Sequence, residues 1–245
     1  MNTIRFPANP IRYTFSSMDP RMRQRPAPEA HIEEEVPQIP YAAELKRKAL
    51  HLLALVVPLS IAVIGKQALF LLIPLTLLAL AGDYFRARSE AFARFIYRIF
   101  GFMMRAEEIH PVGGPIVING ATWVLITATL LATVFPVRIA AGSFAMFMVC
   151  DAAAALVGRR FGRLRWGRTR RTVEGSTAFI ITGFIIMALM PGFTFWVGAV
   201  SVLFAAVAEA APGPLNDNIR VPFVAASVIF LLERFVLGMD VALFF

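Results

Sequence analysis

Cysteine is all but absent from this 245-residue chain. Cys150 stands alone inside an apolar run, so no intrachain disulfide is possible. Charge is scarce too: Asp, Glu, Lys and Arg make up 16% of the residues, against 58% hydrophobic. With a mean hydropathy of +0.68, the chain is too apolar for an ordinary soluble domain. No internal repeat is visible, and the first forty residues hold no apolar stretch of the kind a signal peptide needs. Acidic residues are outnumbered, which leaves a net charge of +8. A surplus of that size suggests a nucleic-acid partner, but the positive residues alternate with long apolar runs instead of forming one patch. The expected partner is therefore a membrane bilayer, with no nucleic acid.

What is present is a series of apolar runs with short polar links, which predicts an all-α, polytopic integral membrane protein. Residues 1–40 carry seven prolines and mixed charge and read as a flexible cytosolic tail. A single membrane domain follows over 41–245. Tyr41 to Lys48 reads as an interfacial turn leading into a first span, Ala49 to Ile64. Ala68 to Ala81 is a short second run containing Pro74. From Gly82 to Gly114 arginines alternate with aromatics, and Phe92, Phe95, Ile96, Ile99 and Phe100 fall at helical spacing. This predicts an amphipathic helix lying in the interface. Five further spans are expected: Pro115–Phe135, Ile139–Val157, Val173–Met190, Phe193–Ala211 and Val221–Phe245, about seven in all. Glu233 and Arg234 in the last run read as a local ion pair. With the N-terminus in the cytosol, 21 of the 24 Lys and Arg residues lie in inner segments, a strong positive-inside pattern.

The stretch from Cys150 to Ser176 combines two unusual features. Asp151 is a carboxylate inside an apolar run, and an ionisable group at membrane depth marks a functional site by default. Beyond Gly158 comes a loop with seven arginines and two further glycines, a composition suited to phosphate. Asp151 precedes Gly158 by about two helical turns, roughly 10 Å, on the same helix face. Glu174, Glu209 and Asp217 are expected at the same cytosolic level. Acids beside arginines can simply neutralise them, but four acids converging on one Gly- and Arg-rich loop favour a metal–nucleotide site. Mg²⁺ takes oxygen ligands, usually one or two carboxylates plus substrate phosphates.

The pattern D-A-A-A-A-L-V-G-R-R-F-G from Asp151 to Gly162, with R-T-V-E-G-S from Arg171 to Ser176, resembles the CTP-dependent lipid kinases. That family includes dolichol and polyprenol kinases, phytol kinase and the CTP-using diacylglycerol kinase. Three more stretches resemble it: E-L-K-R-K-A-L-H (Glu44–His51), N-G-A-T-W (Asn119–Trp123) and D-N-I-R-V-P (Asp217–Pro222). The resemblance implies transfer of the γ-phosphoryl of CTP, with Mg²⁺ or another divalent cation, to the hydroxyl of a membrane lipid at the cytosolic face. It places Asp151, Glu174 and Asp217 in the catalytic set, with Asp151 and Asp217 on the metal. It puts Gly158, Arg159, Arg160, Gly162, Arg171, Thr172, Gly175, Ser176 and Asn218 around the nucleotide. Lys48, His51 and Asn119 would face the lipid substrate. Arg171 stands where the family usually has Lys. Phosphatidate cytidylyltransferases share the core pattern, but their C-terminal signature of paired aspartates around P-G-H-G-G is replaced here by A-P-G-P-L-N-D-N. A transporter lined by Asp151, Glu209 and Asn119, or a lipid-binding scaffold, are readings of other classes.

Overall fold

The computed structural model describes residues 40–244, apart from Met103, Arg105, Ala106, Glu107, His110, Arg168, Arg170 and Pro214. The tail expected over 1–40 falls almost wholly outside the described residues. The chain is all-α. Helices run in the order α1 (Tyr41–Leu53), α2 (Val56–Ile64), α3 (Leu69–Arg88), α4 (Glu90–Phe100), α5 (Gly120–Val134), α6 (Val137–Phe161), α7 (Val173–Leu189), α8 (Phe195–Ala210) and α9 (Asp217–Leu231). A π-helical turn, Leu232–Val236, extends α9.

The break between α1 and α2 has a local cause. Pro58 offers no N–H to the carbonyl of Ala54, and its ring crowds that carbonyl. The chain bridges the gap with tighter bonds, from Leu55 N to Leu52 O (3.0 Å) and from Val57 N to Ala54 O (2.9 Å). Polar side chains start the later helices. Asn119 caps α5 by accepting from Ala121 N and Thr122 N, Thr172 caps α7 by accepting from Gly175 N, and Asn216 caps α9 by accepting from Asn218 N.

Apolar and polar residues are distributed as in a membrane domain. Phe70 is 86% exposed, and Leu53, Val63, Leu78, Ile181, Leu189 and Val207 are also exposed, while Thr122, Thr127, Ser143 and Ser201 are buried. Small and hydroxylic residues let helices approach closely where lipid, not water, surrounds them. The stretch Tyr41–Arg88 and α6 are each long and apolar enough to cross a bilayer, and α5, α7 and α8 are shorter apolar helices. The central element is α6. It packs against α1, α2, α5, α7 and α9, and its buried face includes Phe144, Phe147, Met148 and Cys150.

Three boundaries differ from those read in the sequence. The short second run is a full 20-residue helix, α3. Gly82–Arg88, assigned above to the interfacial segment, continues α3, because Asp83 and Arg86 turn inward and are buried. The amphipathic helix is therefore only α4, started by Ser89, whose hydroxyl accepts from Phe92 N. The last helix begins at Asp217 and ends well before Phe245. Glu233 does not pair with Arg234. It takes a two-pronged bond from Arg138 of α6 (2.9 and 2.6 Å), while Arg234 reaches Asp240.

Candidate active site

The site is assembled on α6. Lys48 and His51 lie three residues apart on α1, so both project from one face toward α6. The Lys48 ammonium donates to Asp151 Oδ2, and His51 Nε2 lies 3.5 Å from the same oxygen. Lys48 is 3% exposed and the Asp151 side chain 14%. Glu44, one turn before Lys48, is buried as well. It accepts from Arg47 (3.1 and 2.5 Å) and lies 3.5 Å from Arg159 at the end of α6. The polar stripe of α1 thus faces inward along α6. Arg159 is held at Glu44, and the Arg160 guanidinium lies 5.9 Å from the centre of the Tyr41 ring.

The loop from Gly162 to Thr172 folds back on itself. Trp166 N donates to Arg171 O, and Val173 N donates to Leu164 O. Glu174 closes it by accepting from the backbone N–H of Arg163 (2.9 Å) and Leu164 (3.3 Å), and Ser176 Oγ accepts from Trp166 Nε1 (3.0 Å). Glu174, expected in the catalytic set, and Ser176, expected at the nucleotide, both bond to the loop and so help set its shape. The motif glycines bring α6 and α7 together. A Cβ on Gly158 would stand 2.8 Å from Thr172 Oγ1, and one on Gly175 would stand 2.9 Å from Ala154 O. Only glycine permits this approach.

Arg171 leaves the loop and bridges two helices. Its Nη1 donates to Glu209 Oε1 at the end of α8, and its Nη2 to Asp217 Oδ2 at the start of α9. Burial works against its charge, but the Glu209 and Asp217 carboxylates outweigh it and hold its pKa above the ordinary arginine value. Arg220 donates to the other Asp217 oxygen (2.6 Å) and to Ala211 O (2.9 Å). Glu209 Oε2 is buried, with no hydrogen-bond partner among the described residues.

Sequence reading passed over Asp83 and Arg86. Asp83 accepts from Asn119 N (3.0 Å) and Asn119 Nδ2 (2.7 Å), and Arg86 donates to Asp83 (3.0 Å) and to the carbonyls of Glu108 and Val117 (2.6 Å each). This pair fixes the N-terminus of α5. The available signal was an acid and an arginine at i, i+3 directly after an apolar run. Asn119 therefore caps α5 with its oxygen and is itself held by Asp83.

Asp151 and His51 border a cavity of about 450 Å³. One wall is apolar, with Leu50, Ala54, Val57, Ile96, Phe100, Val124 and Leu125. The polar rim holds Arg47, Arg86, Glu108, Asn119, Asp151 and Asn218. The N-termini of α5 and α9 meet this rim at Gly120, Ala121 and Asn218, and helix N-termini favour negative charge. A half-buried acid, cations and two positive helix ends thus adjoin a hydrocarbon-lined space.

Comparison with known proteins finds relatives named as lipid kinases. The chain is 27% identical over 171 residues to the CTP-dependent diacylglycerol kinase 1 of Schizosaccharomyces pombe, covering 63% of this chain and 76% of that protein. It is 32% identical over 135 residues to the probable chloroplastic phytol kinase of Triticum aestivum, covering 47% and 44%. It is 45% identical over 40 residues to the dolichol kinase of Saccharomyces cerevisiae, covering 16% and 8%. The homologues of the chain thus include a diacylglycerol kinase, a probable phytol kinase and a dolichol kinase, at modest identity. The chain spans most of the diacylglycerol kinase but less than half of the other two. No family model and no solved structure matches it.

Among the described residues, no three His, Cys, Asp or Glu side chains come together as a metal site. Asp151 lies on Lys48 and Asp217 on Arg171 and Arg220. An ion held wholly by protein ligands does not fit. Mg²⁺ that draws much of its coordination from nucleotide phosphates does fit, because it needs only one or two carboxylates, and the free Glu209 oxygen adds a donor nearby.

Proposed function

We propose that this protein transfers the γ-phosphoryl group of CTP to the hydroxyl of a membrane lipid alcohol at the cytosolic membrane face. The observation that carries the reading is Asp151, a carboxylate paired with Lys48 beside His51 at the edge of a largely apolar cavity. The lipid tail would occupy the Leu50, Val57, Ile96, Phe100 and Val124 side, with its hydroxyl at Asp151. The triphosphate would lie at the polar rim, near the N-termini of α5 and α9 and the α6–α7 loop.

In the reaction the lipid oxygen forms a bond to Pγ, the bond from Pγ to the bridging oxygen breaks, and CDP leaves. The lipid hydroxyl gives up its proton. Asp151 would orient that hydroxyl and accept the proton, while Lys48 holds the carboxylate and His51 lies beside it. Phosphoryl transfer needs mainly positioning and charge neutralisation. Mg²⁺, held by Asp151 and Asp217 when bound, would supply neutralisation of the phosphates. Arg171 holds Asp217 and Glu209 together and keeps α8, α9 and the loop in register. Glu174 sets the loop, and Thr172 with Gly158 and Gly175 seats it on α6. The concentration of positive residues in the inner segments supports the cytosolic placement.

The test uses purified protein in nanodiscs, CTP labelled at the γ position, and polyprenol, phytol and diacylglycerol in turn. Label in the lipid is the expected result. CMP transfer to phosphatidate with pyrophosphate release would make the protein a cytidylyltransferase. No transfer of either kind would favour transport or scaffolding.

A further inference from the structure

The helix α4 presents one broad apolar arc, with arginines on the opposite side. Phe92 packs on Phe85 of α3, with ring centroids 6.3 Å apart, and Ala93 is buried. Ile96 and Phe100, one turn apart, line the cavity beside Asp151. Phe95 and Ile99, with Phe102 just beyond, are exposed, as is Phe85. On the remaining side Arg94 and Arg98 are exposed, and Arg94 makes only a surface pair with Glu90 (3.2 Å). Arg88 sits at the junction with α3, its guanidinium 6.0 Å from the centre of the Tyr84 ring. An apolar stripe edged by arginines matches the boundary between headgroups and acyl chains. The exposed apolar surface of α3 (Phe70, Leu77, Leu78) continues into it through Phe85. The cavity fixes the level, since it reaches from Asp151 to Phe100.

We propose that α4 is an anionic-lipid binding element that forms one wall of the substrate cavity. Phe95, Ile99 and Phe102 sit among acyl chains, while Arg88, Arg94 and Arg98 bind phosphodiester headgroups. Seating α4 in this way orients Ile96 and Phe100 toward the cavity and opens it sideways to the bilayer. Two cations on the exposed edge account for the preference for negative lipid, because each basic residue at such a surface favours binding about fivefold. The role of α4 in substrate entry rests on the phosphotransfer reading; its seat on anionic lipid does not.

The test places a cysteine at Phe95 on a Cys150→Ala background, labels it with bimane, and reconstitutes the full chain in nanodiscs. One set is phosphatidylcholine alone, and the other is phosphatidylcholine with phosphatidylglycerol. In the anionic discs the label should emit to the blue and be quenched by brominated acyl chains, with both effects smaller in phosphatidylcholine. Arg94→Gln with Arg98→Gln should reduce the insertion equilibrium constant in anionic discs by about twenty-five-fold and leave it unchanged in phosphatidylcholine. Equal emission and quenching in both discs, or unchanged insertion in the double variant, would overturn the proposal. A blue-shifted label that brominated lipid fails to quench would also overturn it, by placing protein on this face. The lipid KM of the same discs forms a second arm. It should rise in phosphatidylcholine and in the arginine variants with kcat unchanged, and an equal KM in both discs would overturn the wall. If no lipid is phosphorylated in any disc, the kinase reading fails while the fluorescence still decides the lipid contact.

Discussion

Replacing Arg171 tests the junction of the loop, α8 and α9. Its two terminal nitrogens reach two carboxylates on different helices. Glu209 is 3% exposed and Arg171 30%. Removing one partner of a buried pair costs about 3–5 kcal/mol, because the other charge stays buried alone. Partial exposure of Arg171 puts Arg171→Ala at the low end, about 3 kcal/mol. In a domain of this size that corresponds to roughly 6–12 °C in Tm. Asp217 keeps Arg220 at 2.6 Å, so nearly all of the loss comes from Glu209. Arg171→Lys should fall between, at about 1–2 kcal/mol, because one ammonium can hold Glu209 but cannot span to Asp217. Glu209→Gln added to Arg171→Ala removes the stranded charge and should recover most of the loss. The assay is thermal unfolding of the four proteins in one detergent, with CTP KM measured on each. An unchanged Tm in Arg171→Ala would refute the bridge. A double variant no better than Arg171→Ala would refute charge pairing as its basis.

Other outcomes follow from the same geometry. Gly175→Ala should cost about 1–3 kcal/mol by overpacking, since its Cβ would meet the Ala154 carbonyl 2.9 Å away; an unchanged Tm would mean α6 and α7 are not in close contact there. Asp83→Ala should cost about 3–5 kcal/mol by leaving the buried Arg86 cation unpaired, with Asp83→Ala/Arg86→Met closer to wild type, and a harmless Asp83→Ala would remove this pair as the anchor of α5. Cysteines at Arg165 and Asp240 on a Cys150→Ala background should differ in intact cells, with an impermeant maleimide labelling only position 240. Labelling of 165 alone would reverse the orientation.

The helical runs and their order were legible because apolar length and cap residues are local properties. Asn119, Thr172 and Asn216 sit where such residues start helices. The α3 boundary was misread because Asp83 and Arg86 look like surface charge until their partner Asn119, 36 residues from Asp83, is known. The approach of Lys48 and His51 to Asp151 spans about a hundred residues, and no local pattern encodes it. Resemblance alone made Lys48 and His51 candidates, whereas Asp151 stood out as a charge within an apolar run. The motif glycines and Glu174 look like a phosphate cradle in one dimension. In three dimensions they also close α6 on α7 and shape the loop, because a tight turn and a phosphate site demand the same residue types. Arg171 departs from the family's usual lysine, and its two carboxylate partners supply a physical reason: a planar fork spans two helices where a point charge cannot.

The most direct measurement is γ-phosphoryl transfer from CTP to a lipid alcohol by Asp151→Asn protein whose Tm shows that it is folded. Asn keeps the shape of the side chain and removes the charge that the proposed mechanism sets against the lipid hydroxyl. The account predicts a loss of roughly a hundred- to thousandfold in kcat with the protein still in its native fold. Near wild-type turnover by the folded variant would contradict it.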